Sequence, residues 1–175
     1  MINTDYPIEA LDILLNRDCL TARYCPLIKY KAALLAELQK LGCRTKSDVQ
    51  KLTDEALMQT GLNDTDTVAL FRGFLAMYDP KPQKFREITK LCTDPEEISA
   101  FTELYHLPGV KYVRASLYCR SGYSSLADIA AATAYDIHEK TALTIEREDL
   151  TCIVPLPKEV RTHIAVAKAF TMIRE

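Results

Sequence analysis

The chain has 175 residues, of which 48% are hydrophobic and 26% are charged, a composition typical of a globular protein that can bury a core. Its formal net charge of −2 argues against a dedicated, strongly basic nucleic-acid-binding protein. No run of about 18 apolar residues occurs, and residues 1–5 lack the basic start and apolar stretch of a signal peptide, so we expect a cytoplasmic protein.

Apolar residues recur at helical spacing along the chain, whereas no convincing alternation of apolar and polar residues occurs. This pattern predicts an all-α protein without a sheet. The first strong stripe predicts a helix over about residues 26–41, with an apolar face formed by Leu34, Leu35, Leu38 and Leu41. The next helix is predicted to begin near Asn63 and Asp64, with an apolar face formed by Val68, Phe71, Leu75 and Tyr78.

Residues 79–83, with the sequence Asp-Pro-Lys-Pro-Gln, cannot continue a helix because proline lacks the amide that a helix interior requires. We predict that this segment links two helical halves, an N-terminal half over 1–78 and a C-terminal half over 84–175.

Two helix starts are predicted in the C-terminal half. Asp94 and Pro95 indicate the first, because aspartate caps free amides and proline suits the first helical position. The buried stripe of this helix is predicted to consist of Ile98, Phe101, Leu104 and Tyr105. The second follows Pro157, and its apolar positions are Val160, Ile164, Ala167 and Phe170.

The two halves are predicted to repeat one structural unit. A shift of 80 residues aligns Gly42 with Gly122, Thr45 with Ser125, Asp48 with Asp128, Val49 with Ile129, Thr53 with Thr133 and Leu57 with Ile137. Each glycine is placed to end a helix in the left-handed conformation. Thr45 and Ser125 each precede an aspartate by three residues, which is the spacing of a capping box. The predicted unit is a helix, a glycine stop and two short capped helices.

The segment over about 96–137 carries a family resemblance. Leu107-Pro108-Gly109-Val110, followed by Ala115 and by Gly122, resembles the helix-hairpin-helix motif, including copies found in bacterial proteins without an assigned role. A degenerate copy is predicted over about 25–62, where Pro26-Leu27-Ile28 replaces the hairpin turn.

The resemblance implies a way of binding nucleic acid. In this family the hairpin glycines let the backbone approach a phosphate, and the amides that open the second helix bind it without reading the base sequence. The corresponding residues here are Gly109, the amides of Val110 to Tyr112, and the side chains of Lys111 and Arg114. Lys111 stands where the family has a second glycine, so a purely structural turn remains the alternative.

Basic residues cluster in three segments, over 19–47, 81–90 and 107–127. The first contains Arg23, Lys29, Lys31, Lys40, Arg44 and Lys46, the second Lys81, Lys84, Arg86 and Lys90, and the third Lys111, Arg114 and Arg120. Solvated helix faces explain such clusters as well as an anion-binding surface does.

No catalytic or metal-binding pattern is found in the sequence. The three histidines lie in separate segments, the six cysteines are scattered, and no phosphate loop or nucleophile motif occurs. We therefore expect reduced thiols, no cofactor, no small-molecule substrate and no enzymatic activity. The leading hypothesis is a non-enzymatic protein that binds DNA or RNA weakly through backbone phosphates, and the alternative is a protein-interaction adaptor.

Overall fold

The computed structural model describes residues 5–79 and 81–173, of which 65% are helical. No strand occurs in this part of the chain, where an isolated bridge joins Pro7 to Thr45. The predicted all-α fold without a sheet is therefore confirmed.

The chain divides into two compact units, of which unit 1 comprises Met1–Pro80 and Met172–Glu175 and unit 2 comprises Lys81–Thr171. The helices of unit 1 are α1 (Ala10–Leu14), a 3₁₀ helix (Cys25–Tyr30), α2 (Lys31–Lys40), α3 (Lys46–Lys51), α4 (Asp54–Leu57), a π-type turn (Met58–Leu62) and α5 (Thr65–Ala76). The helices of unit 2 are α6 (Pro82–Phe85), α7 (Ile88–Leu91), α8 (Pro95–Leu104), α9 (Tyr112–Arg120), α10 (Leu126–Ala131), α11 (Ala134–Arg147) and α12 (Pro157–Thr171).

The boundary between the units falls inside the predicted linker over 79–83, of which Pro80 lies outside the described residues. One part of that prediction is wrong, because α6 begins at Pro82. A proline at the first position of a helix removes an amide that has no intrahelical partner, so it opens this helix at little cost.

The core of unit 1 combines buried leucines with a cluster of aromatic side chains. The ring of Tyr78 lies edge-on to Tyr6 at 5.5 Å between centroids and to Phe74 at 5.6 Å, and the ring of Tyr24 lies 6.3 Å from that of Phe74. The predicted stripe of α5 is buried as expected. The prediction that Leu41 belongs to the apolar face of α2 is wrong, since this residue follows the last turn of the helix and is 52% exposed.

In unit 2 the longest helix, α12, packs against α10 and α11, while α9 packs against α8 and α11. Phe101 and Leu104 of α8 and Ala115 and Leu117 of α9 are almost fully buried. Asp94 caps α8 through the Glu96 amide and Pro95 stands in its first turn, as predicted. The last helix is confirmed as well, although α12 begins at Pro157 itself and not after it.

The helix stops at Gly42 and Gly122 have the same geometry. The φ angle is +77° at Gly42 and +87° at Gly122, the left-handed values predicted from the sequence. The Cys43 amide donates to Leu38 O at 3.0 Å, and the Tyr123 amide donates to Tyr118 O at 2.9 Å. These bonds close two Schellman motifs, so both predicted stops are confirmed.

The two predicted capping boxes are confirmed too. Thr45 accepts from the Asp48 amide and Ser125 accepts from the Asp128 amide, while each carboxylate accepts from the amide of its cap residue. The cap residues have nearly the same backbone angles, φ −133° and ψ 164° for Thr45 against φ −139° and ψ 164° for Ser125. Units 1 and 2 thus share a local structure from the glycine stop through the second cap.

The six cysteines are free, and Cys19, Cys43 and Cys92 are buried. Burial raises the pKa of the Cys19 and Cys119 thiols to about 11, so both stay protonated at neutral pH. None of the helices formed by the described residues combines the length and the apolar character that a bilayer crossing requires.

Candidate functional site

The turn between α8 and α9 brings the chain to the surface of unit 2 at Pro108 and Gly109. Both of these residues are exposed, whereas Leu107 and Val110 on either side are fully buried. Gly109 has a φ angle of +72°, and an added Cβ would meet no atom within 4 Å. The position therefore needs glycine for its backbone conformation, not for lack of space.

The N-terminus of α9 follows this turn directly. Lys111 is the N-cap residue of this helix, and its carbonyl oxygen accepts from the Ala115 amide at 2.9 Å. The side chain of Lys111 forms no capping hydrogen bond, so the amides of the first turn, from Tyr112 to Arg114, keep their hydrogen-bonding capacity. In contrast, α8, α10 and α11 of the same unit receive side-chain caps from Asp94, Ser125 and Thr133.

The side chains at the start of α9 differ in exposure. Lys111 is exposed and contacts no acidic side chain among the described residues. Tyr112 is 37% exposed and lies edge-on to Phe101, with 5.5 Å between ring centroids. Lys111 can therefore reach an external anion, while Tyr112 forms the rim of the core.

Two of the five predicted site residues, Val110 and Arg114, already donate hydrogen bonds to other groups of unit 2. They are therefore not free to bind a phosphate as predicted. The Val110 amide donates to Leu107 O at 3.3 Å and closes the turn. Arg114 forms a two-pronged ion pair with Glu159, with Nε 2.8 Å from Oε1 and Nη2 3.2 Å from Oε2. The guanidinium also donates to Ile153 O at 2.9 Å. The donors that find no acceptor among the described residues are the Gly109 amide, the Lys111 side chain and the amides of the first turn of α9.

A buried histidine lies behind the turn. His163 of α12 is 1% exposed, with Nε2 2.8 Å from Pro108 O and Nδ1 2.6 Å from the hydroxyl of Tyr118. Burial lowers the pKa of His163 below its ordinary value. The hydrogen bond to Pro108 raises this pKa, but its effect is smaller than that of burial. The imidazole is therefore neutral at physiological pH.

A lysine holds the neighbouring carbonyl of the turn. Lys84 of α6 donates from Nζ to Leu107 O at 2.8 Å. Burial, followed by the nearby charge of Lys81, lowers the pKa of Lys84 to about 8. At pH 7 most of the Lys84 ammonium groups are still charged, so the turn has a second cation close to its backbone.

Some of the basic residues in the clusters seen in the sequence form ion pairs with acids from distant segments. Lys31 pairs with Asp12 at 2.7 Å, and Arg120 pairs with Glu148 at the same distance. Lys46 is 3% exposed and its Nζ lies 2.6 Å from Asp79 Oδ1. Charge counted along the sequence therefore overstates the free positive charge of these segments.

Sequence reasoning missed the residues that hold the turn from behind. The contacts of His163 with Pro108 and Tyr118 span 55 and 45 residues, and that of Glu159 with Arg114 spans 45, so no local pattern marks them. Lys84 belongs to a basic cluster that the sequence did identify, but its contact with Leu107 spans 23 residues. No group of three metal-ligating side chains occurs in the part of the chain that the structure describes.

No family model, no curated protein and no solved structure matches the chain. The turn and the start of α9 offer several hydrogen-bond donors. An exposed ammonium group, the exposed glycine of a tight turn and the uncapped start of a nine-residue helix all suit the oxygens of an anion.

Proposed function

We propose that the protein is a non-enzymatic, helix-hairpin-helix type protein that binds the phosphate backbone of nucleic acid, with DNA as the first candidate, weakly and without sequence preference. The observation that carries the proposal is the exposed left-handed turn at Gly109 leading into the uncapped start of α9. A phosphate oxygen placed there accepts from backbone amides at the positive end of the helix dipole. Lys111, beside these amides, adds a charged donor.

Weak binding is expected because the site offers few charges. Arg114 is committed to Glu159, so Lys111 and Lys84 are the cations identified at the turn. Contacts to phosphate position a protein on nucleic acid without reading its bases. Affinity should therefore be similar for unrelated sequences of equal length.

The experiment is a fluorescence-anisotropy titration of two unrelated mixed-sequence duplexes with the full chain at 50 and 200 mM salt. We expect equal affinities for the two duplexes and a three- to tenfold loss over this salt range, roughly the loss that one or two released counterions produce. A single-stranded RNA of equal length distinguishes a general phosphate preference from one for DNA. Absence of binding at 50 mM salt would rule out this function.

The second candidate function is that of a protein-interaction adaptor, and one observation supports it. Around the Arg114–Glu159 ion pair, three large apolar side chains are exposed, Val113 by 60%, Ile153 by 71% and Leu156 by 63%. The backbones of Ile153 and Leu156 both bond to this pair. A protein partner would cover these side chains, and Ile153→Ser would then weaken the interaction while leaving duplex binding unchanged.

A further inference from the structure

We propose that His163 is a positioning residue for the turn, whose buried imidazole fixes the Pro108–Gly109 peptide so that the Gly109 amide faces outward. The inference rests on the proposed phosphate binding for its function, but its geometry can be tested without any ligand. It assigns a role to a buried polar side chain that packing alone does not require.

The hydrogen bonds of His163 define one tautomer. A carbonyl oxygen accepts but never donates, so the contact of 2.8 Å between Nε2 and Pro108 O requires the proton on Nε2. Nδ1 is then the acceptor for the hydroxyl of Tyr118 at 2.6 Å. Both ring nitrogens and the tyrosine hydroxyl are satisfied in this arrangement, as buried polar groups require.

The position of the Pro108 carbonyl decides where the Gly109 amide points. In a planar trans peptide the C=O and N–H bonds point in opposite directions. His163 holds the carbonyl towards the interior, so the amide of Gly109 must point the other way, and Gly109 itself is exposed. This amide donates to no residue in the described part of the chain.

Lys84 completes the arrangement by holding the carbonyl of Leu107. The two carbonyls that precede Gly109 thus both face donors of unit 2. An outward carbonyl would repel a phosphate oxygen, so drawing both inward leaves a face of donors at the turn.

Unit 1 lacks both the turn and the residue that supports the histidine. The shift of 80 residues places Lys29 at the position of Gly109 and Leu38 at the position of Tyr118. The segment around Lys29 is a 3₁₀ helix that leads directly into α2. The glycine turn and the Tyr118–His163 pair therefore occur together in one unit and are absent together from the described residues of the other.

The test compares His163→Gln with His163→Leu in the full chain. Glutamine can donate from its amide nitrogen to Pro108 O and accept from Tyr118 through its oxygen, whereas leucine can do neither. Three signals are measured: the ring ¹⁵N shifts of His163 in the wild-type protein, the residual dipolar coupling of the Gly109 N–H bond, and the affinity for a mixed-sequence duplex.

We expect ring shifts of the neutral Nε2–H tautomer, a Gly109 coupling that changes in His163→Leu, and recovery of the wild-type coupling in His163→Gln. Duplex affinity should fall roughly three- to tenfold in His163→Leu, the effect of one misdirected backbone hydrogen bond, and recover in His163→Gln. If His163→Leu does not fold, His163→Phe replaces it, because a phenyl ring keeps the planar shape of the side chain but forms neither hydrogen bond, and the same change in the Gly109 coupling is then expected.

An Nδ1–H tautomer, or a Gly109 coupling that does not respond to loss of the histidine contacts in a folded variant, would overturn the inference. These two signals require no ligand. A wild-type protein that fails to bind the duplex, but shows the expected tautomer and coupling, refutes the proposed function and leaves the positioning role supported.

Discussion

Lys31 and Lys111 lie 80 residues apart at equivalent positions of the repeat, but Lys31 is neutralised inside its unit and Lys111 is not. Nζ of Lys31 lies 2.7 Å from Asp12 Oδ1 and 2.6 Å from the Asp12 carbonyl oxygen. Lys111 is exposed and has no acidic partner among the described residues. The two units share the glycine stop and the capping box that follows it, but they differ in the charge presented at the start of the helix before that stop, which is α2 in unit 1 and α9 in unit 2.

Replacing the glycine stops should destabilise each unit through backbone strain alone. At Gly42 and Gly122 an added Cβ meets no atom within 4 Å, but φ is positive. We expect Gly42→Val and Gly122→Val each to lower the free energy of unfolding by about 1–2 kcal/mol, measured by urea denaturation. Asparagine at the same positions is the matched control and should cost less, because it tolerates the left-handed region. Equal stability of the valine and asparagine variants would refute the strain.

Removing a capping hydroxyl should weaken the helix that it starts. Thr45→Ala and Ser125→Ala each remove the side-chain acceptor of the amide of the aspartate three residues later, although the Asp48 amide keeps a second contact with the Thr45 carbonyl at 3.1 Å. A loss of roughly 1 kcal/mol is expected for each, read from the urea midpoint. Thr65→Ala serves as a control, since Thr65 lies in the first turn of α5 but the capping side chain there is that of Asp64. A control variant as unstable as the two cap variants would contradict the prediction.

These features could be predicted because they are local. A Schellman motif or a capping box involves residues within about six positions of one another, so Gly42, Thr45 and Asp48 and their repeats are visible in the sequence. The exposure of Leu41 was missed, because helical spacing alone does not show where the last turn of α2 leaves the core.

The site was predicted only in part because its contacts are not local. Gly109 and Lys111 were identified from the motif, but the Glu159 that engages Arg114 lies 45 residues away. The contact between His163 and Pro108 spans 55 residues. Such pairings are set by the packing of α12 in unit 2, which periodicity does not specify.

Stability should fall in mild acid because of His163. The folded state lowers the pKa of this group below its ordinary value of 6.5, so the unfolded chain takes up the proton first as the pH falls. The contribution of the neutral His163 side chain to the free energy of unfolding is complete above about pH 6.5 and is lost progressively below that value. The other ionisable groups that influence it are Tyr118 and Arg114 of α9, Lys84 of α6 and Glu159 of α12.

The measurement compares urea denaturation of the wild-type protein and His163→Gln between pH 7.5 and pH 5. Glutamine has a donor and an acceptor for the same two hydrogen bonds and does not titrate in this range, so the stability of the wild-type protein relative to the variant should decrease as the pH falls. If the free energies of unfolding of the two proteins change in parallel with pH, the pKa of His163 does not differ between the folded and the unfolded chain, and the prediction is wrong.

Releasing Arg114 from its carboxylate should strengthen duplex binding while weakening the fold. The two side chains are 15% and 30% exposed, so Glu159→Gln removes a partly buried ion pair. We expect a loss of about 1–2 kcal/mol in stability and tighter binding at low salt, since a guanidinium beside the turn is freed. Unchanged or weaker duplex binding in the folded variant would argue that Arg114 lies too far from the bound phosphate.

The most direct test of phosphate binding at the turn is the affinity of Lys111→Glu for two unrelated duplexes at low salt, with Lys140→Glu as the matched control. Lys140 lies over the ring of Tyr123, beyond the opposite end of α9, and its replacement changes the net charge by the same amount. The account predicts that Lys111→Glu weakens binding to both duplexes equally, roughly three- to tenfold, and reduces the salt slope by about 1. Lys140→Glu should have a much smaller effect. Equal losses in the two variants, or a loss that depends on the duplex sequence, would contradict a phosphate contact at Lys111.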